Sequence, residues 1–172
     1  NICFFLANSR HIVKKCIHKP TNTTMAIKYL IIPQSRVQDD QILIRLKAMR
    51  REIDNLYMLR SWPNIVDFYG LCIYEGQALL CMQLMDLSLK ELYILVHNEK
   101  GKDENFPEEL VICVFVKIVD ALLFCKDRGI MHRDIKPTNV LVNNTGEIKL
   151  CDFGESRILE DGAATSFAGT IA

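Results

Sequence analysis

The sequence predicts an α+β fold of two lobes: a small β-rich lobe over residues 1–85 and a helical lobe over residues 86–172. Three observations carry this. Runs of β-branched and aromatic residues bounded by turn formers dominate as far as Met85. One long segment of 3.6-residue periodicity interrupts them, and helical periodicity takes over afterwards. At about 100–200 residues per domain, 172 residues suit one domain or two small lobes.

In chain order, residues 14–18 and 25–32 read as strands on either side of the turn-forming cluster Lys19-Pro20-Thr21-Asn22-Thr23. Residues 37–60 read as a helix, with Ile42, Leu46, Met49, Ile53 and Leu56 forming one apolar stripe. Trp62-Pro63-Asn64 stops it. Residues 65–73 and 78–84 then form a hairpin around Glu75-Gly76. A short amphipathic segment at 86–97 and a polar loop at 99–105 follow. Pro107-Glu108-Glu109 opens a helix with acids in its first turn, favourable to the helix dipole. Its apolar face is Leu110, Val114, Ile118, Ala121, Leu122 and Cys125, and Gly129 caps it. Residues 140–142 and 148–150 are short strands around the turn Asn143-Asn144-Thr145-Gly146.

Hydrophobic residues make up 49% and charged residues 24% of the chain, an ordinary globular composition. Twenty-one basic residues balance 21 acidic ones, which leaves no overall electrostatic case for nucleic acid or an anionic membrane surface. The longest apolar run, residues 110–116, has seven residues, far short of the roughly 20 that span a bilayer. Seven cysteines are scattered without a C-x-x-C pair, so neither a zinc site nor a disulfide framework is expected. Most, such as Cys81 and Cys113, lie among aliphatics and read as small buried hydrophobes of a reducing compartment, cytosol or nucleus. Residues 1–7 have an apolar core with no preceding basic residue, a poor signal peptide, and the absent initiator Met reads as a fragment. Nothing calls for an obligate oligomer.

The chemistry is concentrated in two motifs. His132-Arg133-Asp134-Ile-Lys136-Pro-Thr-Asn139 and Asp152-Phe153-Gly154 match the catalytic loop and metal-binding motif of protein kinases. Upstream, Met25-Ala26-Ile27-Lys28 fits the strand that carries the nucleotide-binding lysine, and Glu52 lies on the helix that follows. Phosphoryl transfer needs a triphosphate held, its charge neutralised and the acceptor hydroxyl aligned. Lys28 is therefore expected on the α/β-phosphates of ATP, aimed by Glu52. Asp152 and Asn139 are expected on Mg²⁺, Asp134 on the substrate hydroxyl proton, and Lys136 on the γ-phosphate.

The wider text resembles the mitogen-activated protein kinase kinases, within the protein kinase superfamily, over about residues 13–170. The phrases are His18-Lys-Pro-Thr21 before Met-Ala-Ile-Lys28, then Ile65-Val-Asp-Phe-Tyr-Gly70, Cys81-Met-Gln-Leu-Met-Asp86-Leu-Ser-Leu89 and Lys149-Leu-Cys-Asp-Phe-Gly154. The Leu-Met-Asp-x-Ser-Leu phrase is similar to the branch that activates stress-responsive kinases. The resemblance implies a bilobal kinase fold and a dual-specificity enzyme. Its substrate would be a downstream mitogen-activated protein kinase, and an upstream kinase would switch it on. It implies Met82 beside the adenine, Gln83–Met85 as the connection between lobes, and Val13 and Ala26 in the ATP pocket. Ser166 takes the position of an activation-loop phosphosite, with Thr165 as a neighbouring candidate.

The chain departs from that family in four places. Leu6, Asn8 and His11 stand where the phosphate loop carries glycines, so no such loop is recognisable in residues 1–12. Gln83 stands where Glu is usual, and Gly162 at the first phosphosite. Ala172 precedes the expected A-P-E motif. Two classes of function follow: a competent protein kinase domain whose 172-residue piece alone is not fully active, or a kinase-like scaffold without turnover.

Overall fold

Strands β2 (His11–His18) and β3 (Thr23–Ile31) are joined by the turn that the Lys19–Asn22 chemistry requires. Thr21 N–H donates to His18 O at 3.2 Å, and Asn22 takes the left-handed φ of +53° that its short polar side chain tolerates. In this computed structural model the described residues are 5–8, 11–32, 40–100 and 106–159. They fall into two units, Asn1–Arg60 with Asp67–Leu84, and Ser61–Val66 with Met85–Ala172. No described helix is long and apolar enough to cross a membrane.

The first unit is a five-stranded antiparallel sheet in the order β1-β2-β3-β5-β4, with β1 at Phe5–Asn8, β4 at Phe68–Tyr74 and β5 at Gln77–Gln83. Helix α1 (Asp40–Leu59) packs on β4, where Tyr57 meets Phe68 edge-on at 4.9 Å. Central β3 pairs on both sides, and Leu30, Leu59 and Leu80 are buried in the core. Each such side chain contributes about 1.5–3 kcal/mol by leaving water.

Two expectations are corrected here. The predicted stripe of α1 is buried only in part: Leu56 is buried, Ile42, Met49 and Ile53 are half-buried and Leu46 is exposed, while the fully buried line is Glu52, Asn55, Leu56 and Leu59. The fully buried side chains all lie in the C-terminal half of α1, where the Glu52 carboxylate turns inward to meet Lys28. The strand expected from residue 65 starts at Phe68. Residues 64–66 bond instead to Leu150 of the second unit: Leu150 N–H donates to Asn64 O at 2.9 Å and Val66 N–H to Leu150 O at 3.0 Å. Residues 37–39, predicted as helix, and 101–105 of the predicted loop lie outside the described residues, while residues 99 and 100 of that loop are helical.

The second unit contains strand β6 (Leu87–Ser88), helices α2 (Leu89–Lys100) and α3 (Glu108–Asp127), and strands β7 (Ile130–Met131), β8 (Val140–Val142), β9 (Ile148–Leu150) and β10 (Arg157–Ile158). The segment read as one amphipathic stretch from residue 86 thus begins as a strand. Ser88 then starts α2 with a capping box: its N–H and Oγ both bond Glu91 Oε2 at 2.7 Å, and Glu91 N–H returns to Ser88 Oγ at 3.2 Å. On α3 the predicted face faces inward, with Ile118, Ala121 and Cys125 buried. Gly129 ends it with φ +67°, its N–H donating to Lys126 O at 2.9 Å.

The opposite face of α3 is also apolar and exposed, through Val111, Ile112, Phe115, Val116 and Leu123. Cys113 sits on that side and is exposed, as is Cys72. The reading of the cysteines as mostly buried is therefore corrected. Among the described residues only Cys125 is fully buried, and desolvation pushes its thiol up to about 11.

Candidate active site

The first group of site residues follows from sheet register. Val13 pairs with Lys28 and Lys28 with Leu80, while Lys15 pairs with Ala26 and Ala26 with Met82. Side chains alternate along a strand, so Val13, Ala26, Lys28 and Met82 share one sheet face, and Gln83 takes the other. Lys28 Nζ meets Glu52 Oε1 at 2.6 Å, and the two side chains are only 7% and 8% exposed. At this burial the pair persists because each charge compensates the desolvation of the other. Gln83 N–H is bonded to Asp67 O at 2.9 Å, and Met85 is buried in the second unit.

The second group follows from a hairpin. Strands β8 and β9 pair Val140 with Leu150 around a turn in which Asn143 Oδ1 accepts from Thr145 N at 3.1 Å and Glu147 N at 2.9 Å. Continuing that register sets Asn139 opposite Cys151, and Cys151 N–H indeed donates to Asn139 O at 2.9 Å. The turn thereby brings Asn139 and Asp152 together across 12 residues of chain. The Asn139 amide donates to Asp134 O at 2.9 Å and to Asp134 Oδ2 at 3.0 Å. Lys136 Nζ lies 2.7 Å from the same oxygen. One carboxylate oxygen of Asp134 is thus gripped from two sides, which fixes its rotamer.

His132 ties the two motifs together, a role the sequence reading left unassigned although the residue stands in the motif. Asp134 N–H donates to its Nδ1 at 3.2 Å, so the ring proton belongs on Nε2, which donates to Cys151 O at 3.0 Å. Burial lowers its pKa from 6.5 and favours this neutral tautomer. Its ring stands edge-on to Phe153, which is 1% exposed, at 4.7 Å. Arg133 and Asp152 hold left-handed φ angles of +70° and +62°. Non-glycine residues keep such angles where surrounding bonds over-determine them.

These donors fit the groups that the motifs imply. An Asp carboxylate and an Asn side-chain carbonyl on adjoining backbone positions are hard oxygen ligands, the type Mg²⁺ selects. A buried lysine held against a carboxylate suits a phosphate.

A family profile described as protein kinase domain matches residues 10–172. The chain belongs to the protein kinase domain family. This kinase domain is 39% identical over 161 residues to the dual specificity mitogen-activated protein kinase kinase mek-2 of Caenorhabditis elegans, covering 92% of the chain. It is 38% identical over 156 residues to the MAP kinase kinase mkk-4 of the same organism, covering 88% of the chain. It spans 38% and 40% of the length of these two curated relatives. The family match begins after the positions of Leu6 and Asn8. In the structure those residues belong to β1, in register with Val13 and His11. Thr165 and Ser166 of the kinase domain lie outside the described residues. Sequence reasoning also missed Asn55, wholly buried on α1; a lone Asn four residues before the helix end carried no signal.

Proposed function

We propose that this chain is part of a mitogen-activated protein kinase kinase that transfers the γ-phosphoryl group of ATP to hydroxyls of a downstream mitogen-activated protein kinase. Both Ser/Thr and Tyr would be acceptors, and an upstream kinase would act on Ser166, with Thr165 secondary. Residues 1–85 and 86–172 would be the small lobe and part of the large lobe. The observation that carries the reading is the Asp134–Asn139–Lys136 cluster, joined through Cys151 to Asp152.

In this reading Lys28 binds the α/β-phosphates and Glu52 keeps its ammonium aimed. Val13, Ala26 and Met82 provide the apolar surface for adenine, and backbone groups near Gln83 and Met85 its polar contacts. Asp152 and the Asn139 carbonyl hold Mg²⁺, which would neutralise charge on the phosphates. Asp134 orients the acceptor hydroxyl and takes its proton, while Lys136 offsets charge on the transferred group.

A scaffold without turnover is the second reading, favoured by one observation: β1 continues to Asn8, with side-chain-bearing residues where phosphate-cradling glycines belong. Transfer of radiolabelled phosphate by the full-length protein decides between them. We expect Mg²⁺-dependent transfer that Asp152→Asn lowers at least about 10²–10³-fold, with an unchanged circular dichroism spectrum. Equal turnover in wild type and variant removes the metal assignment. Absent turnover with Mg²⁺–ATP still raising the melting temperature supports the scaffold.

A further inference from the structure

We propose that Asp120 is a positioning residue for Asp152, acting through the connector Ser61–Val66; this rests on the kinase reading above. Asp120 lies on α3, half-buried, outside both motifs. Its Oδ2 accepts from Trp62 Nε1 at 2.7 Å and from Asn64 Nδ2 at 2.6 Å. The Trp62 ring also stacks on Phe124, one turn along α3, at 3.9 Å and 17°. The carboxylate therefore clamps the connector onto α3 by two directional bonds, and an apolar side chain there would strand two donors, one on buried Asn64 and one on half-buried Trp62.

The clamp leads directly to the metal-binding motif. Asn64 gives its amide to Asp120 and its carbonyl to Leu150 N–H at 2.9 Å, and Val66 N–H donates to the Leu150 carbonyl on the same flank at 3.0 Å. Leu150 precedes Cys151, whose N–H and carbonyl are taken by Asn139 O and His132 Nε2 at 2.9 and 3.0 Å. The two residues ahead of Asp152 are thus bonded on both flanks, one flank from the catalytic loop and the other from the connector. Asp152 needs both, because its left-handed backbone (φ +62°) is held by its surroundings rather than by local preference. The packing of α3 itself is secured by Ile118, Ala121 and Cys125. The polar clamp adds direction to that packing.

The test uses Asp120→Ala and Asp120→Asn in the full-length protein. Asp120→Ala should weaken Mn²⁺ binding with a non-hydrolysable ATP analogue, read by electron paramagnetic resonance, about tenfold. Without metal, amide exchange should accelerate at Leu150 and Cys151 together with the connector, while the α3 amides stay unchanged. Asp120→Asn keeps an acceptor oxygen and should restore both readouts to within about twofold. A fall in melting temperature with unchanged metal affinity and unchanged exchange at Leu150 and Cys151 overturns the proposal. If Asp120→Ala does not fold, Asn64→Ala cuts the same link from its other end, and unchanged exchange at Cys151 then overturns it. A wild type that neither binds Mn²⁺ nor transfers phosphate defeats the kinase reading, while the exchange comparison still decides on Asp120.

Discussion

Lys28 and Asp152 are both carried next to or within β-strands, yet what aims them differs in kind. Lys28 depends on a side-chain partner from another element, Glu52 of α1, at 2.6 Å. The first half of that helix is largely exposed, and its fully buried residues begin at Glu52. Around Asp152 the fixing bonds are mostly to backbone: Leu150 and Cys151 bond Asn64, Val66, Asn139 and His132. A pair built from two side chains can be made or broken by moving one helix. A backbone network yields only when its strands separate. The first arrangement suits control, the second suits constancy.

The largest expected effect comes from breaking the Lys28–Glu52 pair. Lys28→Met or Glu52→Leu alone should each cost about 3–5 kcal/mol in urea unfolding, because the buried charge left behind loses its partner at 2.6 Å. The double substitution should recover most of that loss. A single-mutant cost under about 1 kcal/mol would show the pair to be solvated and the contrast overstated.

A smaller effect is expected where the chain enters the second region. Gly129 has φ +67°, accepts from Leu159 N–H at 2.6 Å, and leads through β7 to His132. An added Cβ would lie 3.8 Å from Leu159 O, an ordinary contact. Gly129→Ala should therefore cost only backbone strain, about 1–2 kcal/mol by thermal denaturation. A neutral substitution would mean that this turn relaxes without disturbing the network.

The smallest effect concerns pH. Burial depresses the pKa of His132 below 6.5, so the unfolded state takes up the proton first as pH falls. The stability contributed by the neutral ring is present above pH 6.5 and is lost as pH falls from there through the folded pKa. The melting-temperature gap between wild type and His132→Asn should accordingly narrow between about pH 7.5 and about pH 5.5. A constant gap would show that the folded ring takes up its proton at the same pH as the unfolded one.

Much of the site was legible because its residues are close in sequence and their chemistry is specific. The motif from His132 to Asn139 and the Asp152-Phe153-Gly154 motif named the oxygen donors, and the turn at Asn143–Gly146 named the hairpin that brings them together. The face shared by Val13, Ala26 and Lys28 follows from period-2 alternation once the strands pair. Glu52 was legible from its motif, though not from the stripe of α1, which points to Ile53 instead.

What the sequence determined by itself is whatever is settled within a turn or two of chain: the motif chemistry, the turn after β2, the inward face of α3 and its glycine cap. Those features depend on backbone dihedrals, caps and periodicity, all of which are local. Tertiary structure alone decided the buried line of α1, the exposure of Cys113, the late start of β4 and the bonds of Asp120 to Trp62 and Asn64. Asp120 lies 58 and 56 residues from those partners. Whether a carboxylate or a thiol faces solvent or a partner depends on which distant element packs against it, and periodicity along one helix carries no record of that.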